Sequence, residues 1–199
     1  MSWQSGGLSF SYGKSTVSAD STALVIDGER FVLDEIDRMS LSASKSTSQG
    51  SWGKITASFM VTAGEQRGAV NFAGGQNGDD VEWWPYWEQL TGYGEAEIAP
   101  RIRTRIVTTL AQGGTVDVGG ITKNSKGRYR LSAEGITPKR LFGKVLPWSS
   151  IAGMSVERTD WRFEVEKAPG KVARNSWLLG RVEWNAWVVP QLVAHYNGR

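Results

Sequence analysis

A chain of 199 residues can form one domain or two small ones, and its 40% hydrophobic and 22% charged residues are ordinary for a globular protein. Cysteine is absent, which excludes a disulfide framework, thiol chemistry and thiolate metal sites. The mild net charge of +3 is unevenly spread, with residues 1–112 at −4 and residues 113–199 at +7; this marks a surface for an anionic partner, an attraction between two domains, or ordinary divergence between two halves.

The first elements are short strands. Val17-Ser-Ala-Asp20, the segment from Ile26 through Gly28 to Phe31, and Ile36-Asp-Arg-Met-Ser-Leu41 are apolar-polar runs separated by turn residues. A helix is expected to begin near Asp79-Asp80, two acids suited to a helix N-terminus, with Trp83, Trp84 and Trp87 on one face. Gly92 and Gly94 should interrupt it. Ile98, Ile102, Ile106 and Leu110, four residues apart, predict a further helical segment that stops at Gly113-Gly114. A domain boundary is placed there, giving 1–112 and 113–199.

Beyond it, Gly120 to Leu131 reads as two extended segments around a polar turn at Lys123–Gly127. Gly135-Ile-Thr-Pro-Lys139, the apolar pair Leu141-Phe142, a turn at Gly143 and Val145-Leu-Pro-Trp148 follow. Ile151 to Val156 is the next strand, and Trp161-Arg-Phe-Glu-Val165 alternates apolar and charged residues as a half-buried strand does. Ala168-Pro-Gly170 marks a turn before a last strand at Asn175–Gly180. Helical spacing then takes over: Trp184, Trp187, Val188, Leu192 and His195 form one apolar face, with Pro190 predicting a kink or a late start.

The two halves repeat one another. Ile36–Leu41 aligns with Ile151–Val156, and extending backwards pairs Phe31 with Leu146, Gly28 with Gly143 and Ile26 with Leu141. A one-residue slip matches Val17–Asp20 to Leu131–Glu134, and Val81-Glu-Trp83 matches Val182-Glu-Trp184. The order of blocks is the same in both halves. The expected fold class is therefore mostly β with C-terminal helices (α+β), one folding unit written twice.

The stretch from Tyr129 to Val156, with its Gly135-Ile136 strand and its Leu146-Pro-Trp-Ser149 strand, resembles the early strands of bacterial pleckstrin homology-like (PH-like) domains. The resemblance covers 115–196 and reaches 6–112 mainly through the repeat. It implies two tandem bent β-barrels of seven strands, each capped by a helix. Such motifs specify fold better than function.

Sites with chemistry are scarce. His195 is the one histidine and has no Ser or Cys triad signature beside it. Asp34-Glu35-x-Asp37 is read as a solvated acidic cluster rather than a hard-cation site. Gly74-Gly75 and Gly119-Gly120 read as turn or bulge residues, not phosphate loops. No enzyme activity, metal or cofactor is expected. The sharpest candidate is the basic hairpin of the second unit: Lys123, Lys126, Arg128 and Arg130. In lipid-binding PH domains the resembling loop carries a Lys and then Arg-x-Arg; Arg128-Tyr129-Arg130 matches the last part, and the spacer from Lys123 is short. Alternation puts both arginines on one face, where two guanidinium groups can hold a phosphate. The corresponding loop, Tyr12-Gly-Lys-Ser-Thr16, has no such pair. A solvated hairpin whose charges keep a sheet edge from pairing is the plainer account and is preferred.

The tryptophans at both helix starts are expected to plug the open end of each barrel, with Trp84 or Tyr86 left to face the other domain. The leading expectation is a non-catalytic module that binds a protein or peptide partner by strand addition. The alternative is an anionic lipid headgroup or membrane surface at the basic hairpin; nucleic acid is disfavoured because aromatic and basic residues do not interleave. No stretch reaches the roughly 18 consecutive apolar residues of a transmembrane segment. Residues Met1 to Gly7 lack a secretory pattern, so a cytoplasmic location, peripheral at the membrane in the lipid case, is expected.

Overall fold

The computed structural model describes residues 7–45, 55–74, 82–121, 128–139, 143–157, 160–168, 170–181 and 183–198. The protein is α+β and mostly β, with four antiparallel sheets among the described residues, none of them closed into a barrel. The chain divides into two compact units, Met1–Ile102 and Arg103–Arg199. The division falls inside a helix, ahead of the Gly113-Gly114 stop.

In the first unit β1 (Leu8–Tyr12), β2 (Ser15–Ala19), β3 (Ala23–Ile26) and β4 (Glu29–Val32) form a four-stranded meander. Its β3–β4 turn is Asp27-Gly28, both at positive φ (52° and 84°), the geometry of a two-residue hairpin that matches strand twist. The preceding turn is tied by Asp20, whose Oδ1 accepts the Thr22 and Ala23 backbone N–H groups at 2.7 and 2.9 Å. Next come β5 (Arg38–Lys45), β6 (Ile55–Ala63) and β7 (Gln66–Gly74), a three-stranded meander. Strict alternation along β6 turns Ile55, Ala57, Phe59 and Val61 inward. They meet Leu24, Phe31, Leu33, Ile36 and Met39 in one core. Gly68 on β7 is required by this packing: a Cβ there would lie 2.8 Å from the Phe31 ring.

Helix α1 (Trp84–Tyr93) opens with Pro85, whose missing N–H costs nothing in the first turn. Residues 79–81 lie outside the described residues, so the expected start at Asp79-Asp80 does too; α1 itself begins at Trp84. The glycines do not break the helix. A π-turn, Gly94–Ile98, joins α1 directly to α2 (Ala99–Ala111), and the Ala99 N–H reaches back five residues to the Gly94 carbonyl. Two features account for the widened turn. Pro100 cannot donate to the carbonyl four residues before it. Gly94 is pressed so closely that a Cβ would sit 2.9 Å from the Phe59 ring. Ile98, Ile102, Ile106 and Leu110 are all buried, and Gly113 (φ 78°) ends the helix. There the Gly114 N–H bonds the Thr109 carbonyl and the Gly113 N–H the Leu110 carbonyl, the paired closure of a Schellman stop.

The second unit repeats the plan. β8 (Val116–Val118), β9 (Tyr129–Leu131), β10 (Gly135–Pro138) and β11 (Leu146–Pro147) form a four-stranded meander. A 3₁₀ turn (Trp148–Ser150) leads to the three-stranded meander β12 (Ile151–Glu157), β13 (Asp160–Ala168) and β14 (Lys171–Gly180). Helix α3 (Val188–Tyr196) closes the unit, a late start that leaves Pro190 in the first turn, where it forfeits no intrahelical bond.

Register refines the sequence repeat. Phe31 faces Leu24 and Leu146 faces Ile136, so β4 answers β11, and β5 answers β12, as the alignment requires. Upstream the alignment slips, because the β10–β11 connection is longer. Ala19 faces Leu24 and Leu131 faces Ile136, so Val17–Asp20 corresponds by position to Tyr129–Ser132, two residues before the block that sequence matching selects. The first strand of the second unit is also earlier than expected: β8 precedes Gly119-Gly120, both at φ 83°, instead of following them.

Candidate functional site

The basic hairpin is only partly within view: Lys123 and Lys126 lie outside the described residues. Arg128 and Arg130 are exposed on one side of the sheet while Tyr129 between them is buried, its hydroxyl donating to the Leu178 carbonyl at 2.9 Å. The Arg128 stem lies over Gly120, where a Cβ would come within 2.8 Å of its Nε. Arg130 is engaged. Its Nε is 3.3 Å from Asp117 Oδ1 on β8, and Lys139 Nζ bonds the other oxygen of the same carboxylate. Partial burial acts to raise the Asp117 carboxyl, but Lys139 and Arg130 outweigh it and hold it below its ordinary range.

Sequence reasoning missed Asp117 and Lys139. The signal was present in Val116-Asp-Val118, an alternating strand whose central acid faces Arg130 once β8 pairs with β9. It also missed Glu183. This buried carboxylate accepts the Ile121 N–H at 2.7 Å, while the Trp184 carbonyl accepts the Gly119 N–H at 2.9 Å. Glu183 and Trp184 therefore fasten the segment that follows β8, ahead of the basic hairpin.

The other candidates divide clearly. Asp34 pairs with Arg101 at 3.1 Å, and Asp37 accepts the Thr62 hydroxyl at 2.7 Å. The acidic cluster is thus drawn into local ties on the surface. His195 is exposed and edge-on to Tyr196, not on the buried face of α3; that face is Val188, Val189, Leu192 and Val193. Of the expected apolar face, Trp184, Val188 and Leu192 are buried and Trp187 partly so, but His195 is exposed, and Val189 and Val193 complete the buried stripe in its place.

The tryptophans Trp83, Trp87 and Trp184 are buried. Trp83 stacks on Phe72 at 5.4 Å, and Trp87 meets the same ring edge-on at 6.1 Å. Tyr86 stacks on Phe10 at 5.0 Å within its own unit, and Trp84 is exposed with its indole N–H donating to Glu88.

Sheet edges form the remaining surface of interest. Among the described residues, β5 is ladder-paired with β6 and β12 with β13, so each stands as the edge strand of a three-stranded sheet. In the second unit α3 lies beside the start of that edge, where the Asn197 side-chain amide donates to the Ile151 carbonyl at 2.7 Å. No described helix is long and apolar enough to cross a membrane. No protein-family model matches the chain, and no curated protein matches it.

Proposed function

We propose that the chain is a tandem pair of PH-like modules without catalytic chemistry, and that it binds an extended protein or peptide segment by strand addition. Support for the pairing comes from the plan common to both halves: a four-stranded meander, a three-stranded meander, then a helix. The observation that carries the binding reading is that β12 is the edge strand of its sheet, beside α3. An edge strand turns N–H and C=O groups outward at alternate positions, and those of the stretch Gly153–Val156, beyond the Asn197 tie at Ile151, are the ones an extended peptide would pair with. Val156, half exposed near the end of β12, gives that peptide an apolar side chain to rest against.

The test is a displayed-peptide selection on the full chain, followed by proline substitution through Gly153, Met154, Ser155 and Val156 in turn. Proline at the positions whose N–H points away from β13 should abolish capture while leaving the fold intact. Capture should persist in high salt and in the Arg128→Ala/Arg130→Ala double variant. Loss of all capture in that double variant would defeat the reading.

One observation favours the second reading, an anionic headgroup at the basic hairpin: Arg128 and Arg130 are exposed on a common face. Asp117 weighs against it by neutralising part of that charge.

A further inference from the structure

A groove of about 390 Å³ runs between the middle of α2 and α3 in the second unit. Its walls are Arg103, Thr104, Val107 and Thr108 from α2 and Gln191, Leu192 and His195 from α3. The helical periods explain the grouping: residues one turn apart on each helix face the same channel. Half-buried Val107 gives it an apolar floor, Leu192 lies fully buried beneath, and the other five side chains bring hydrogen-bonding groups.

Its electrostatics are one-sided. No acidic residue occurs in Ala99–Ala111 or in Val188–Tyr196, although α2 carries Arg101, Arg103 and Arg105. Arg101 is satisfied by Glu97 and Asp34 within the first unit, and Arg130 by Asp117. Arg103 has no described carboxylate; its one described contact is a long 3.5 Å approach to the neutral Gln191 Oε1. An exposed guanidinium fork, two threonine hydroxyls, a side-chain amide and an imidazole thus surround a small apolar floor. That is the donor set for an oxyanion attached to an apolar body.

We propose that this groove binds a small organic anion, a carboxylate or phosphate monoester. Arg103 holds the oxyanion, Thr104 and Thr108 donate to its remaining oxygens, and the apolar part rests on Val107. The site is independent of the sheet edge, and its ligand is smaller than a peptide strand.

The test is an NMR titration of the isotope-labelled full chain with phenyl phosphate and benzoate, and with benzyl alcohol as the uncharged control. Saturable shifts are expected at the Val107 and Leu192 amides and at the Arg103 side-chain N–H with one or both anions. Arg103→Gln should weaken binding roughly tenfold or more, as expected for a lost charge-assisted bond, and Arg103→Lys should weaken it less. Thr104→Val/Thr108→Val should weaken it without altering the Arg103 signal of the free protein. The proposal is overturned by an absence of saturable shifts with both anions, by equal shifts with benzyl alcohol, or by unchanged binding in Arg103→Gln. Response to a glutamate-rich peptide alone would also overturn it, in favour of a protein partner.

Discussion

At the scale of single residues, buried polar tips fasten the turns. The Tyr93 hydroxyl donates to the Asp20 carbonyl at 2.9 Å, and the Trp148 indole N–H donates to the Ser132 carbonyl at 2.9 Å. By sheet register Asp20 and Ser132 are equivalent, so each unit pins the same turn with a different aromatic from a different element. Burial, with help from Glu97 and Asp20, raises the Tyr93 phenol, so it is a donor at neutral pH. Tyr93→Phe should therefore cost about 1 kcal/mol of stability by denaturant titration. Glu183→Ala, which removes the acceptor of the partly buried Ile121 N–H, should cost about 1 kcal/mol in the same measurement. Asp20, like Asp117, contributes to the acid dependence of stability. The Thr22 hydroxyl, then the Thr22 and Ala23 N–H groups, lower its carboxyl below the ordinary value. A lowered folded value means that its contribution is complete above the unfolded pKa of about 3.9 and is lost as pH falls through the folded one. Acid titration of stability in Asp20→Asn should accordingly be flatter below about pH 4 than in the parent chain.

At the scale of elements, close approach dictates where glycine stands. Gly68 lets β7 meet the Phe31 ring, and Gly94 lets the π-turn meet Phe59 and Met39. Gly68→Ala should destabilise by about 1–3 kcal/mol, the range for overpacking a formed core, whereas Ala substitution at the open Gly13 turn should act only through its positive φ. Much of this level was legible in the chain. The isoleucine series of α2, its Gly113-Gly114 stop and the alternation of β13 are all properties of local sequence. The continuity of α1 and α2 was not legible, because Gly92 and Gly94 read as breakers when their neighbours are unknown. Gly94 is explained only by a ring from β6, distant in sequence. The slip in the repeat has a similar origin: residues in a turn can be inserted without changing which strands pair, so ungapped matching drifts where register does not.

At the scale of the whole molecule, the same order of meander, meander and helix occurs twice along the chain, with different surfaces laid over it. Positions held by Thr16, Ser18 and Asp27 in the first unit are held by Arg128, Arg130 and Lys139 in the second; backbone bonds from Asp27 to Thr16 and from Lys139 to Arg128 fix the correspondence. The charge difference between the halves is thus partly a local exchange on one sheet. Arginines at 128 and 130 could be found by eye, but the restraint on them could not, since Asp117 and Lys139 come from strands on either side. If the hairpin binds anionic lipid, Asp117→Asn should increase salt-sensitive binding to phosphatidylserine vesicles in a flotation assay. If it does not, the substitution should leave binding negligible.

Hydrogen exchange on the full chain with a selected peptide bound tests the central claim most directly. Strand addition predicts slowed exchange at alternate amides of β12, those pointing away from β13, with the same pattern in the Arg128→Ala/Arg130→Ala variant. Protection confined to residues 128–131, and lost in that variant, would contradict it.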